Sequence, residues 1–445
     1  MRQIYSIALI LYFILLIFIS PSFAMDVERK VLDNGLILLV VQRHNLPVVK
    51  VTVGIQAGNF LEPEKKAGLA NLTASLLTGG TANRTAQQIS EEIEFVGGSV
   101  GAGGGGDYIS VSLSVLKKDI NLGFDLLSDI ILHPSFPEDE LIKKKERIKG
   151  SLKAQEESPG FIASREFKKA IFGSHPYGRL VTGTAETIDN IHREDLQQFH
   201  AEYYAPDNSV VAVVGDISAD EVGVLFNKYF TDWQARSVAM PSVTRPDKPK
   251  ERKTVTVDKD LTQANIILGH TGVSRDNPDY YSISVMNYIL GSGGFASRLM
   301  QNIREEKGLV YDIHSFFAAN KYGGSFQVGL QTKNESANQA IEEILKEIKR
   351  IMTEDVSDTE IDDAKSFLTG SFPMRIETSR RIASFLVAVE YFDLGAEYID
   401  NYPSYINRVT KADILRVAKK YLDPVKFTLV VVADQERTQL RKDFK

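Results

Sequence analysis

The chain of 445 residues contains no cysteine. That excludes disulfides, thiolate metal centres, cysteine nucleophiles and a lipidated N-terminal cysteine together. Histidine is sparse too. The seven are His44, His133, His175, His192, His200, His270 and His314, and no two lie three or four residues apart. No helix can therefore offer two imidazoles on one face, and neither HExxH nor HxxEH occurs. A basic excess is also missing. The formal net charge is −6, which argues against nucleic acid as a partner. Beyond residue 24 no run is long and apolar enough to span a bilayer, so no stable membrane span is expected in the mature chain.

What is present starts with an export signal. Arg2 precedes an apolar run from Ile4 to Ile19, and Ser22 and Ala24 supply the small residues that a signal peptidase requires. The run is short for a membrane anchor, so cleavage after Ala24 and a periplasmic location are expected, ahead of a tether through an uncleaved N-terminus.

The remainder is written twice. "DLQQFHAEYYAPDNSVVAVVGD" (195–216) aligns without a gap on "DILRVAKKYLDPVKFTLVVVAD" (413–434), and "DELIKKKERIKGSL" (139–152) aligns on "TEIDDAKSFLTGSF" (359–372). The Pro- and charge-rich stretch "MPSVTRPDKPKERK" (240–253) separates the copies. The reading is a signal peptide at 1–24, one domain at 25–236, a linker at 237–254 and a second domain at 255–445. β-Branched runs such as "NSVVAVVGD" and "QANIILGHTG" alternate with amphipathic stretches such as "QAIEEILKEIKRIM". The fold class is α+β, with two homologous domains, each a mainly antiparallel sheet packed with helices.

Four stretches could carry chemistry. "GLANLTASLLTGGT" (68–81) reads as an amphipathic helix with no histidine or carboxylate. "GGSVGAGGGGD" (97–107) lacks the Lys-Ser/Thr of a phosphate loop and runs into a strand. In that strand Ile109, Val111, Leu113 and Val115 alternate with Ser110, Ser112 and Ser114. This predicts either a plain turn and strand or a glycine-relieved edge that accepts a peptide strand, with Gly104, Gly105, Gly106, Tyr108 and Ser110 as candidates. "SHPYGRLVTGT" (174–184) is read as a turn. In "FASRLMQNIREEKGLVYDIHS" (295–315), Gly308 predicts a helix C-cap, with Arg304 in the last turn and Tyr311 opening the next strand. Spacing alone favours Arg304 as a partner of the helix dipole, against a guanidinium and phenol aimed at a developing oxyanion.

In order and spacing, "VLDNGLILLVVQ", "VGIQAGNFLEPEKKAGLANLTASLLTGGT", "FVGGSVGA", "HPYGRLVTGTAETI", "YYAPDNSVVAVVGD" and "SRLMQNIREEKGLVYDIHS" resemble the insulinase-like (pitrilysin, M16) zinc peptidases. Within them the likeness is to the short two-domain subunits related to mitochondrial processing peptidase. The resemblance implies half of a peptidase clamshell. It places the family's inverted HxxEH motif on Asn71, Ala74 and Ser75, and the third ligand, a Glu, near Ser151. None of these can bind zinc well, and Ala74 cannot serve as a base. The family's substrate-binding Arg/Tyr pair falls on Arg304 and Tyr311, which reverses the preference drawn from spacing. The resemblance thus implies a chain that binds no metal, with zinc expected in a partner that carries HxxEH. Arg304 and Tyr311 would act in trans on a peptide substrate. The rival expectation is a non-enzymatic peptide-binding or assembly scaffold on the same fold.

Overall fold

A computed structural model describes residues 25–444. The expected signal peptide lies outside the described residues. Eleven strands among them form two mixed sheets, with helices packed on both. Sheet 1 takes β1 (Glu28–Val31), β2 (Ile37–Gln42), β3 (Val48–Ile55), β4 (Ser99–Gly103), β5 (Ile109–Leu116) and β6 (Ser209–Gly215), in the order β1-β2-β6-β3-β5-β4. Sheet 2 takes β7 (Lys253–Asp258), β8 (Gln263–Thr271), β9 (Val310–Asn320), β10 (Gly323–Lys333) and β11 (Thr428–Ala433), in the order β7-β11-β8-β10-β9. One pairing in each sheet is parallel, β2 with β6 and β7 with β11; the others are antiparallel. The repeat is therefore visible in topology, because each lobe threads its last strand into the sheet parallel to an early one, β6 beside β2 and β11 beside β7.

In the first lobe the helices that matter here are α1 (Leu69–Ser75), α2 (Glu138–Gln155), α3 (Pro159–Phe172) and α4 (Arg193–Tyr203). Those of the second are α5 (Asp358–Gly370), α6 (Ser379–Tyr391) and α7 (Lys411–Tyr421). By the internal repeat α2 corresponds to α5, α3 to α6 and α4 to α7. Thr410 caps α7 and Ser357 caps α5 through reciprocal bonds with Asp413 and Glu360, which satisfy N–H groups that a bare helix end leaves unpaired.

The lobes exchange a helix. Helix α6 lies across β3 and β6 of sheet 1, and α3 lies across β8 and β11 of sheet 2. Consequently β6 and β11 are buried on both faces. Val211 and Val213 face the helices of their own lobe, whereas Val210, Ala212 and Val214 share a core with Leu386 and Val387 of α6. Likewise Val430 and Val432 pack against Ile162, Ala163 and Phe167 of α3. Burial on both faces is why "SVVAVVG" and "TLVVVA" read as continuous apolar runs instead of alternating patterns.

A polar joint fastens the exchange. Asp107 is buried, and its carboxylate accepts from the Tyr177 hydroxyl and, at 3.3 Å, from the Lys321 backbone N–H. The Tyr391 hydroxyl at the end of α6 donates to the Asp107 carbonyl at 3.2 Å, and the Tyr322 N–H donates to the Tyr177 hydroxyl at 3.2 Å. Burial holds the Asp107 carboxyl above its ordinary pKa, despite these donors.

Candidate functional site

Helix α1 is held by an acid from outside it. Glu62 is 4% exposed, and its two carboxylate oxygens accept from the Gly68 and Ala70 N–H groups, each at 3.0 Å. Gly68 sits at φ +100°, a conformation that glycine adopts without the Cβ clash. Burial raises the Glu62 carboxyl to about 7, against the opposing pull of the Ala70 and Gly68 N–H groups and of Arg179. Arg179 also donates to the Glu62 carbonyl at 3.0 Å.

The side chains of this well-anchored helix do not fit a metal. Ala74 is fully buried and has no donor atom. The Ser75 hydroxyl is turned back to the Asn71 carbonyl at 2.6 Å, an ordinary use of serine inside a helix. Asn71 lies under the glycine-rich turn, where a Cβ on Gly104 would come within 2.6 Å of the Asn71 Cα. Gly104 therefore serves close backbone approach. Ser151, on the exposed face of α2, accepts only from Gln155, at 3.3 Å. Glu156 pairs with Arg165. Among the described residues no group of three or more His, Cys, Asp or Glu could hold a metal ion.

The glycine-rich segment forms an edge one strand further out than β5. Strand β5 is interior, and its Ser110 pairs with Gly54 of β3 on one side and Gly103 of β4 on the other. This corrects the placing of Ser110 on an open edge; the edge on this side of sheet 1 is β4, and β1 forms the other. Tyr108 is half-buried against Tyr391, with ring centroids 4.9 Å apart. A Cβ on Gly105 would strike the Tyr108 carbonyl at 2.5 Å, while Gly106 faces open space. The turn around Pro176–Gly178 carries Tyr177 into the interdomain joint, a role that Pro-Tyr-Gly alone did not signal.

Arg304 and Tyr311 do come together. Arg304 lies in a π-helical segment, Met300–Glu306, and Gly308 at φ +61° ends it. The Gly308 N–H donates to the Arg304 carbonyl and the Leu309 N–H to the Ile303 carbonyl, both at 3.0 Å. The chain then turns straight into β9, an edge of sheet 2, with Tyr311 as its second residue. The guanidinium carbon sits 4.6 Å from the Phe295 ring centroid and 5.6 Å from that of Tyr311. Tyr311 is 86% exposed and Phe295 is exposed beside it, while Arg304 also reaches Glu305 at 2.5 Å.

The scaffold beneath is rigid. Buried Arg298 clasps Glu360 of α5 with two hydrogen bonds, at 2.6 and 3.0 Å, and that pairing holds the Glu360 carboxyl at about 2 in spite of its burial. Asn302 donates to Glu347 at 2.9 Å, and Leu299 and Ile303 are fully buried. The opposite side of β9 is tied down where Ser315 exchanges hydrogen bonds with Asn287, at 2.8 and 3.1 Å. The result is a half-buried guanidinium and an exposed phenol on a well-bonded scaffold. Both are hydrogen-bond donors, and neither is a nucleophile at neutral pH. They can bind a carbonyl or oxyanion presented from outside.

Comparison with known proteins matches two family descriptions to successive parts of the chain. The family described as "Insulinase (Peptidase family M16)" matches residues 38–185, and "Peptidase M16 inactive domain" matches residues 190–368. A Bacillus subtilis protein named "Uncharacterized zinc protease YmxG" is 27% identical over 354 residues, covering 79% of this chain and 85% of its own. A Helicobacter pylori protein named "Non-peptidase homolog YmxG" is 27% identical over 402 residues, covering 89% and 91%. The crystal structure of a peptidase M16 inactive domain from Pseudomonas fluorescens superposes with a TM-score of 0.86 at 28% identity, covering 92% of this chain and 98% of that one.

Proposed function

The chain belongs to the insulinase (M16) peptidase family, and from that premise we propose that it is the subunit of a heteromeric peptidase that lacks the zinc. A related chain with an intact HxxEH motif supplies the metal and the base. This subunit supplies part of the substrate chamber and two hydrogen-bond donors. The observation that carries the reading is the contrast within one chain. The helix α1 face bears Asn71, Ala74 and Ser75, while half-buried Arg304 and exposed Tyr311 stay paired where the π-helical segment runs into the β9 edge. In this reading their N–H and O–H groups bind the carbonyl oxygen of the peptide bond being cut, and they bind it more tightly as charge develops there. Export to the periplasm, with Met25 as the first mature residue, belongs to the same proposal.

Affinity purification of the chain from its native cell, with mass identification of whatever co-purifies, tests the partnership. An HxxEH-bearing relative in near-equal amount supports it, and recovery of the chain alone removes it. The Helicobacter relative's name, a non-peptidase homolog, favours a second reading, a peptide-binding or assembly scaffold with no share in catalysis. Under that reading a stable partner is retained, yet substitution of Arg304 or Tyr311 leaves peptide turnover untouched.

A further inference from the structure

Near the start of α6 a cleft of about 700 Å³ is lined by Ser371, Met374, Arg375, Arg380, Arg381 and Ser384. Three arginines in one cleft repel one another. Arg380 and Arg381 also stand in the first turn of α6, where the helix dipole disfavours cations. Arg381 has a fold partner in the Met374 carbonyl, to which it donates at 2.6 Å, but among the described residues neither Arg375 nor Arg380 has a carboxylate within 4 Å. Two further cations border the group. Arg43, just past β2, donates to the Glu377 carbonyl at 3.2 Å. Lys50 of β3 donates to the Ser114 hydroxyl, and burial together with the nearby Arg380 charge holds its ammonium below the ordinary lysine pKa.

Among the described residues the one carboxylate within 4 Å of these five is Glu377, 3.5 Å from Arg381, while Asp26, Glu28 and Asp400 line the neighbouring pocket on the Arg43 side. Arg375 lies over the Phe372 and Tyr402 rings, at 5.8 and 5.4 Å from their centroids. A chain whose formal charge is −6 thus keeps a concentrated positive spot. Such a spot draws anions through a field that elsewhere repels them.

The surroundings narrow the anion to one class. Lys50 pairs across the sheet with Ser114, and Ser114 with Ser99, the first residue of β4. From there the same face of the sheet continues as Ser112 and Ser110 on β5 and Gly101 and Gly103 on β4. A Cβ on either glycine would meet nothing within 4 Å. Beyond β4 no strand pairs among the described residues. A free inorganic anion would need only the cleft. Here the cations run on to a shallow strip of small side chains beside an unpaired strand edge, the geometry that receives an extended backbone.

We propose that Arg375, Arg380 and Arg381, with Arg43 and Lys50 beside them, bind the carboxylates of an acidic peptide segment lying along β4. The inference rests on the peptide-handling function proposed above and names its substrate class as peptides rich in Asp and Glu. Guanidinium–carboxylate pairs of this kind give both attraction and register.

Fluorescence anisotropy of the purified full chain tests it, with a labelled extended peptide carrying consecutive glutamates and the same peptide carrying glutamines. The glutamate peptide should bind at least about tenfold more tightly, and added salt should weaken it. The Arg380→Gln/Arg381→Gln chain should lose most of that preference while its thermal melting stays cooperative. If that variant fails to fold, Arg375→Gln and Arg43→Gln, each on a different element, provide the same measurement. Equal affinity for the two peptides overturns the proposal, and so does a preference that survives all the arginine substitutions. Anionic phosphatidylglycerol vesicles that bind through these arginines, where the glutamate peptide does not, would reassign the cleft to lipid and also overturn it. These outcomes are separate from those at Arg304 and Tyr311. Loss of peptide preference leaves the kinetic role of the Arg/Tyr pair intact, and an inert Arg/Tyr pair leaves the binding result standing.

Discussion

At the scale of single residues, two side chains make opposite demands on the same fold. Tyr311 is almost fully solvated and contributes nothing visible to packing, so its removal should be felt only in function. In the heteromeric peptidase proposed above, Tyr311→Phe should lower kcat by about 10²–10³-fold, because in that role the phenol donates where charge appears only in the transition state. Arg304→Ala should raise KM as well, since a cation also serves the ground-state carbonyl. Steady-state kinetics, with subunit stoichiometry checked by gel filtration, decides between this and the scaffold role. Glu62 is the opposite case, deeply buried and structural. Its carboxyl titrates at about 7 folded against 4.5 in the unfolded chain. Between those values the folded state keeps a proton that the unfolded state has released, so its contribution to stability is lost as pH rises through that window. The effect is on the order of 2–3 kcal/mol. Denaturant unfolding of wild type and Glu62→Gln at about pH 5 and pH 7 should show a steeper fall for wild type; parallel pH profiles would contradict this.

At the scale of elements, the exchanged helices make a sharp prediction at Gly54. A Cβ there would lie 2.3 Å from Val387 Cγ1 on α6, and a valine in a helix has little rotamer freedom with which to retreat. Gly54→Ala should therefore cost about 1–3 kcal/mol. Val387→Ala should cost a similar amount through its cavity. The double substitution should recover part of the sum, because the new methyl fills the space that the valine leaves. A thermodynamic cycle from urea unfolding measures the coupling, and strict additivity would mean that α6 does not pack on β3. The short glycine-rich turn is governed by the same closeness: Gly104 is required where α1 passes beneath it.

At the scale of the whole molecule, the two lobes cannot be treated as independent domains joined by a tether. Each covers one face of the other's central strand, and the Asp107–Tyr177–Tyr391 joint closes the seam. No helix among the described residues is long and apolar enough to cross a membrane. The purified chain alone should hold no stoichiometric zinc after dialysis and cleave no fluorogenic peptide. Both properties should appear only when an HxxEH-bearing subunit is added. One tightly held zinc per isolated chain, measured by metal analysis, would refute that division of labour.

The doubled α+β architecture was legible before any fold was known, because apolar periodicity and a gapless internal match are local properties that survive without knowing what packs on what. The sequence also showed that Asn71, Ala74 and Ser75 offer α1 no imidazole and no carboxylate, because residue identity is read directly from the chain. The Gly308 cap between Arg304 and Tyr311 was legible for a similar reason, since a positive φ at a helix end favours glycine. Which strand forms the edge came from the packing alone. Ser110 sits on an alternating strand whether its neighbour is water or β4, and the alternation is the same in both cases. Only the tertiary structure exchanged α3 and α6 between the lobes, brought Asp107 to Tyr177 and Tyr391, and gathered Arg43 and Lys50 around Arg375, Arg380 and Arg381. Those contacts join residues tens to hundreds of positions apart, and pairing at that range depends on how the sheets and helices stack, which no local pattern encodes.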